Sequence, residues 1–176
     1  MAEIVVGLLG TAFLTGKATT LVSTLGCDLI ISTITRSTKG ICSVLTYFAT
    51  SNHSGIKEII NQLDQTDLEF YISIIEQVVN EQEGKELPVS VKKALIGVND
   101  ILTLIHKELD EIKKSLEYHE TKYFNTWRSF SLQYNIETIK KHNDLLKNRY
   151  SVLIELLKIY NFTPQQSHQY ETNINH

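Results

Sequence analysis

The spacing of apolar and ring-bearing side chains between residues 91 and 123 constrains this chain more than any other feature. These side chains recur in alternating steps of four and three, which places them along one side of an α-helix of about nine turns. The positions are Val91, Leu95, Val98, Leu102, Ile105, Leu109, Ile112, Leu116, His119 and Tyr123. In a chain of 176 residues, a seam of this length needs another long helix to cover it.

A second seam of the same kind supplies that partner. It comprises Ile136, Ile139, Asn143, Leu146, Tyr150, Leu153, Leu157 and Tyr160. Asn143 is its one polar position, which suits either a partly wet seam or a side chain that fixes helix register. Residues 88–160 are therefore predicted to form a long antiparallel helical hairpin with its corner near Trp127. Pro88 opens the hairpin, because proline fits the first turn of a helix.

Two shorter helices are predicted before the hairpin. Residues 56–63 form a short turn of helix, and a capping box of Thr66 and Glu69 begins the next helix. An apolar stripe follows the box, and Gly84 ends that helix. With only two prolines in the chain, the pattern predicts an all-α helical bundle of four to six helices.

The composition changes sharply near residue 50. Five charged side chains lie within residues 1–50 and 32 lie after them, and five of the eight glycines also lie in the first part. We therefore divide the chain into an apolar, small-residue-rich helical segment (1–50), a helical bundle (51–163) and a polar tail (164–176). The composition of the tail predicts disorder.

The apolar segment has two alternative environments. Its charge-free runs reach 17 residues at most, short of the roughly 20 that cross a bilayer. A polar stripe at 11-residue intervals (Lys17, Asp28 and Lys39) predicts a helix that is buried against protein or lies in a membrane interface. The candidates for core or membrane contact are Leu8, Leu9, Phe13, Leu14, Val22, Leu25 and Leu29.

No catalytic motif accompanies these helices in the sequence. His106 and Asp110 lie four residues apart and could share a metal, but a solvated helix face is the better interpretation, so we expect neither a metal nor a cofactor. The net charge of −3 argues against nucleic-acid binding. Two cysteines without zinc-type spacing indicate a reducing, intracellular location. The sequence predicts a protein that is not an enzyme.

An aromatic cluster lies at the predicted hairpin corner. It includes Tyr123, Phe124, Trp127 and Arg128. Such a cluster either packs internally or anchors a partner. We take these four residues as interaction candidates, with another protein or a second copy of the chain as the partner.

One resemblance concerns residues 56–160. The succession Leu68…Ile75-Glu76, Lys92–Leu116, His119-xx-Lys122-Tyr123-Phe124-xx-Trp127-Arg128-Ser129 and Leu145-xxx-Arg149-xxx-Leu153 resembles uncharacterised α-helical proteins of large nucleocytoplasmic DNA viruses. The resemblance implies a virus-encoded helical protein, located in the host cytoplasm or in the virion. The leading hypothesis is a non-enzymatic structural or assembly protein that acts through helix–helix contacts.

A second resemblance concerns layout alone. An apolar N-terminal segment followed by a helical bundle is similar to HeLo-type cell-death domains, and it implies a membrane-active or membrane-anchored bundle that uses residues 1–50. Lys17 and Asp28 interrupt the apolar stretch, which departs from that layout. Membrane association is the alternative hypothesis.

Overall fold

The computed structural model describes residues 26–51, 56–120 and 132–162. They form five helices: α1 (Cys27–Thr50), α2 (Ile56–Asp64), α3 (Leu68–Asn80), α4 (Val89–Glu120) and α5 (Gln133–Phe162). No strand occurs among these residues. The prediction of an all-α helical bundle is confirmed.

Helices α4 and α5 form the antiparallel hairpin. Three hydrogen bonds show that the two helices are antiparallel, because the bonded partner lies earlier in the chain as the α5 residue lies later. Asn135 donates to Glu108 at 3.0 Å, Arg149 donates to the carbonyl of Gly97 at 2.7 Å, and the Tyr160 hydroxyl donates to the carbonyl of Glu86 at 2.9 Å. The residues that connect the two helices lie outside the described part of the chain.

The predicted seams form the centre of the bundle. On α4, every seam residue from Val91 to Leu116 is buried. On α5, Ile136, Ile139, Asn143, Leu146, Leu153 and Leu157 are buried, and Tyr150 and Tyr160 pack against the core. The side chain of His119 and residue Tyr123 lie outside the described residues.

Helix α1 packs beside α4 and runs parallel to it. The Ser37 hydroxyl lies 3.3 Å from Asn99 Oδ1, and the Lys113 ammonium lies 4.9 Å above the Tyr47 ring. On its other side α1 runs antiparallel to α3, since Thr35 near the start of α1 contacts Asn80 at the end of α3, at 3.1 Å. All five described helices contribute to one core, and α2 adds Ile56, Ile59 and Leu63 to it.

Buried hydroxyls on α1 are satisfied within the helix itself. Thr33 donates to the carbonyl of Ile30 at 2.7 Å, and Thr38 donates to the carbonyl of Thr35 at 3.0 Å. Because these local bonds remove the penalty for burying a hydroxyl, a threonine-rich helix can enter the core. Its apolar stripe includes Ile30, Ile34, Ile41, Val44 and Phe48.

The predicted capping box is wrong. The Thr66 hydroxyl donates to the carbonyl of Leu63 at 2.6 Å, so it closes the end of α2 and does not cap α3. The residue before α3 is Asp67, which has a left-handed φ of 53° and makes no capping bond through its side chain. Aspartate tolerates that conformation better than most residues.

The predicted ends of two helices also shift. Pro88 precedes α4, whose first residue is Val89, and the Pro88 carbonyl accepts the N–H of Lys92 at 3.0 Å. Helix α3 ends at Asn80, and Gly84 lies four residues later with a φ of 72°. The positive φ explains why glycine occupies this turn. The Gly84 N–H donates to the Asp28 carboxylate at 3.2 Å, which ties the turn to α1.

Several earlier predictions fall outside the described residues. These are the contact candidates Leu8, Leu9, Phe13, Leu14, Val22 and Leu25, the aromatic corner, and the tail 164–176. Leu29 is described, and its side chain is 39% exposed on α1. The division of the chain near residue 50 stays a prediction.

Candidate interaction surface

Helix α5 carries a second apolar stripe, which faces away from the core. It comprises Leu145, Val152, Ile159 and Phe162, with 46%, 57%, 64% and 84% of their surfaces exposed. We call these four residues the outer stripe. Its first three members are seven residues apart, so they lie along one side of the helix. Large apolar residues exposed in series mark interaction sites more often than single ones.

A shallow groove between α4 and α5 adjoins the outer stripe. The groove has a volume of about 480 Å³, and residues of both helices line it: Ser90, Lys93, Ala94, Gly97, Asn148, Arg149, Val152 and Leu156. On the α4 side, Ala94 and Gly97 carry little or no side chain. Ser90 and Lys93 flank them on the same helix.

Arg149 is one of the polar residues that line the groove. Its guanidinium donates to the Gly97 carbonyl at 2.7 Å and lies 4.0 Å from the Asp100 carboxylate. A Cβ on Gly97 would lie 3.4 Å from the guanidinium nitrogen, an ordinary van der Waals contact, so the Arg149 side chain covers this glycine. Burial raises the pKa of Asp100, and the nearby Arg149 charge opposes that rise.

A second concavity lies at the other end of the bundle, between α1, α2 and α3. Its volume is about 450 Å³, and apolar and acidic residues both line it: Leu45, Phe48, Ala49, Ile60, Leu63, Asp64, Asp67, Leu68, Glu69 and Phe70. Phe70 is 62% exposed at its edge. The acidic rim would favour a cationic ligand over an anionic one.

The histidine and carboxylate that were considered for a metal have separate contacts. His106 packs against Gly40 of α1, where a Cβ would lie 2.6 Å from the imidazole carbon Cε1. The Asp110 carboxylate forms an ion pair with the Lys114 ammonium at 2.6 Å. Within residues 26–51, 56–120 and 132–162, no three metal-ligating side chains come together.

Both cysteines occur as free thiols. Burial raises the pKa of Cys27 and also that of Cys42, where Glu76 and Glu69 add to the effect. A raised pKa lowers the thiolate fraction at neutral pH, and the thiolate is the reactive form.

Two lysines of α5 contact other helices. Lys140 donates to Gln62 at 3.2 Å, and the Lys147 ammonium lies 4.9 Å above the Tyr71 ring. Both contacts join α5 to α2 and α3. These cations therefore help to orient helices within the bundle.

None of the five described helices is long and apolar enough to cross a bilayer. Helix α1 includes the charged residues Asp28, Arg36 and Lys39, and its buried side faces α3 and α4.

The comparisons with known proteins give one similarity of note. The chain is 27% identical, over 94 residues, to L717, an uncharacterised protein of Acanthamoeba polyphaga mimivirus. The match covers 53% of this chain and 44% of the mimivirus protein, so it spans less than half of that relative. No protein-family model and no solved structure matches the chain. The similarity agrees with the resemblance to proteins of large DNA viruses.

Sequence reasoning placed the interaction candidates at the hairpin corner and missed the outer stripe. Tyr123, Phe124, Trp127 and Arg128 lie outside the described residues. The outer stripe was readable, because Leu145, Val152 and Ile159 repeat at intervals of seven. The seam of α5 that packs in the core lies one residue further along the sequence and has more members, so it dominates the apolar pattern of the helix.

Proposed function

We propose that the protein is a virus-encoded, non-enzymatic assembly protein that binds another protein through the outer stripe. The observation that carries the proposal is the serial exposure of Leu145, Val152, Ile159 and Phe162 on a helix whose inner seam packs into the core. A rigid helix that presents apolar side chains at regular intervals suits helix–helix recognition. The similarity to a mimivirus protein supports a viral origin, and association with the virion is part of the proposal.

The partner in this proposal is a protein and not a nucleic acid. The chain has a net charge of −3, and lysines of α5 contact α2 and α3. A nucleic-acid surface would instead present a continuous basic stripe.

Site-specific photo-crosslinking tests the proposal. A photoreactive amino acid replaces Val152 in the full chain, which is expressed in the host cell. A matched variant carries the same group at Lys107, whose side chain is 69% exposed on α4. We expect a discrete protein adduct from position 152 and none from position 107.

Two results would overturn the proposal. One is the absence of any protein adduct at position 152. The other is a lipid adduct at that position, together with binding of the full chain to liposomes. The second result would favour the membrane-associated alternative.

A further inference from the structure

We infer that the concavity between α1, α2 and α3 binds a basic amphipathic segment of a partner protein. We call this surface the acidic concavity. Two features carry the inference: an apolar floor that a partner's side chains can cover, and a rim of carboxylates that attracts cations. The surface is separate from the outer stripe, so the inference does not depend on the proposed function.

The floor of the acidic concavity is apolar, and three helices contribute to it. Phe48 of α1, Leu63 of α2 and Leu68 of α3 are buried there as members of the core, so their positions are fixed by packing. Phe70 lies at the edge and is largely exposed, with its ring in edge-to-face contact with Tyr71. The volume of about 450 Å³ is within the range of ligand sites. Apolar side chains of a partner can therefore enter the concavity and cover the Phe70 ring.

The rim of the acidic concavity carries negative charge. Asp64 is the last residue of α2, Asp67 lies in the turn that follows, and Glu69 lies in the first turn of α3. None of the described residues that line the concavity is basic. Within the described part of the chain, no ion pair engages these three carboxylates. A cleft lined by charges of one sign concentrates the potential and attracts a ligand of the opposite sign.

The position of Asp64 favours a cation for a second reason. The C-terminus of a helix carries partial negative charge, so an acidic side chain there is unfavourable and a basic one is favourable. The last turn of α2 has no basic side chain. The Leu63 carbonyl at this end accepts the Thr66 hydroxyl and N–H, but these donors are neutral. A lysine or arginine of a partner would therefore interact favourably with both Asp64 and the end of α2.

The ligand must combine cationic groups with apolar groups. The three rim carboxylates are exposed, and a single exposed ion pair contributes little to affinity, so a small amine would bind weakly. Several cations along one segment can engage the rim together, while neighbouring apolar side chains cover the floor. An amphipathic helix with basic residues beside its apolar stripe meets both requirements.

Fluorescence anisotropy with a labelled synthetic peptide tests the inference on the full chain. The probe is an amphipathic helix of leucine and lysine, about four turns long, and the control probe has glutamate at every lysine position. We expect the lysine peptide to bind, with an affinity that falls as the salt concentration rises. The glutamate peptide is not expected to bind. Spermine, which is cationic but has no apolar side, should compete only weakly.

Charge-neutral variants locate the binding site. The test variant neutralises the rim: Asp64→Asn, Asp67→Asn and Glu69→Gln together. Asparagine tolerates the left-handed φ of 53° at position 67. The matched control neutralises three exposed carboxylates that follow the other end of α3: Glu81→Gln, Glu83→Gln and Glu86→Gln together. We expect binding of the lysine peptide to weaken about tenfold or more in the test variant and about twofold or less in the control.

Phe70→Ala tests the apolar contribution without changing the charge. We expect it to weaken binding of the lysine peptide about threefold or more, whereas Leu104→Ala, at an exposed position of α4, should leave binding unchanged. Circular dichroism melts of every variant establish that the bundle is folded. Because Phe70 is largely exposed, this variant tests the inference even if the triple rim variant does not fold.

Four results would overturn the inference. The lysine peptide may fail to bind, or the glutamate peptide may bind equally well. The two triple variants may weaken binding equally. Spermine may compete as strongly as the unlabelled lysine peptide, which would assign the acidic concavity to small amines and not to a protein segment.

Discussion

At the scale of single residues, a close contact joins Gly40 of α1 to His106 of α4. The imidazole occupies the space that a Cβ on residue 40 would need, at 2.6 Å from its carbon Cε1. Glycine is unfavourable within a helix by about 1 kcal/mol relative to alanine. Its presence here therefore reflects the approach of α4 and not a need for backbone freedom.

This contact predicts a sign reversal in a double-mutant cycle. Gly40→Ala is expected to destabilise the protein by about 1–3 kcal/mol, because the methyl group must displace the imidazole. In a His106→Ala background the same change should stabilise it, since only the gain in helix propensity remains. Urea denaturation of the wild type, the two single variants and the double variant gives the coupling free energy between the two positions. Additive effects would contradict the contact.

The raised pKa of Asp100 predicts an unusual pH dependence of the stability of the protein. Its pKa is raised by burial despite the nearby Arg149. Because the folded state then holds this proton more tightly than the unfolded state, the carboxylate destabilises the fold at neutral pH, and the effect is lost as pH falls through the folded pKa towards 3.8.

The matching variant is Asp100→Asn, which removes the charge. We expect it to be more stable than the wild type at pH 7, with the difference decreasing as the pH falls. Thermal melts from pH 7 to pH 4 measure this. A variant that is less stable at pH 7 would show that the ion pair with Arg149 outweighs the cost of burying Asp100.

At the scale of helices, the two seams explain why α4 and α5 are adjacent. Leu109 is fully buried on the α4 seam, whereas Leu104 on the same helix is 41% exposed. Leu109 and Leu104 have the same residue type and lie on the same helix. A comparison of their alanine variants therefore measures core packing with the change in helix propensity held constant.

Leu109→Ala should therefore destabilise the protein by about 2–5 kcal/mol. Leu104→Ala should change the stability by about 0.5 kcal/mol or less, as is usual for a surface position. Urea melts of both variants provide the measurement. A loss below about 1 kcal/mol for Leu109→Ala would mean that the seam is not packed in solution.

The seams could be predicted because helical periodicity is a local property of the sequence. Sequence reasoning missed the burial of Ile96, Asn99 and Ile101, which lie off the α4 seam. Asn99 contacts Ser37 of α1, and no periodicity within α4 reveals that a distant helix covers a second side. The prediction of a capping box was wrong for a related reason. The Thr66 hydroxyl can bond either to the start of the next helix or to the end of the preceding one, and it bonds to the Leu63 carbonyl at the end of α2.

Asn143 shows what a seam pattern leaves open. Its amide donates to the Thr66 carbonyl at 2.8 Å, so it links α5 to the turn between α2 and α3. This contact agrees with the interpretation that Asn143 fixes the register of α5. The pattern alone indicated a polar position but could not identify the turn that it contacts.

At the scale of the whole molecule, α1 is part of the core. Nine of its residues are buried, and it packs against both α3 and α4. Sequence reasoning left open whether this segment is covered by protein or by membrane. For α1 the structure gives protein contacts, while residues 1–25 lie outside the described part.

Removal of α1 should accordingly disrupt folding. A chain that begins at residue 51 would expose the sides of α3 and α4 that α1 covers, and we expect it to aggregate or to lose its cooperative melt. A chain that begins at Gly26 keeps all five described helices and serves as the control. Circular dichroism and sedimentation of the two chains provide the test. A monomeric, cooperatively melting chain from residue 51 would contradict the prediction.

The parallel pairing of α1 with α4 has a consequence for synthesis on the ribosome. The contacting residues Ser37 and Asn99 are 62 positions apart. At translation rates of about 5–20 residues per second, roughly 3–12 s pass between their additions to the chain. Throughout that interval the nascent α1 lacks its main neighbour, so its isoleucine-rich side is available to holdase chaperones. We therefore expect the speed of translation between these two helices to affect the yield of folded protein.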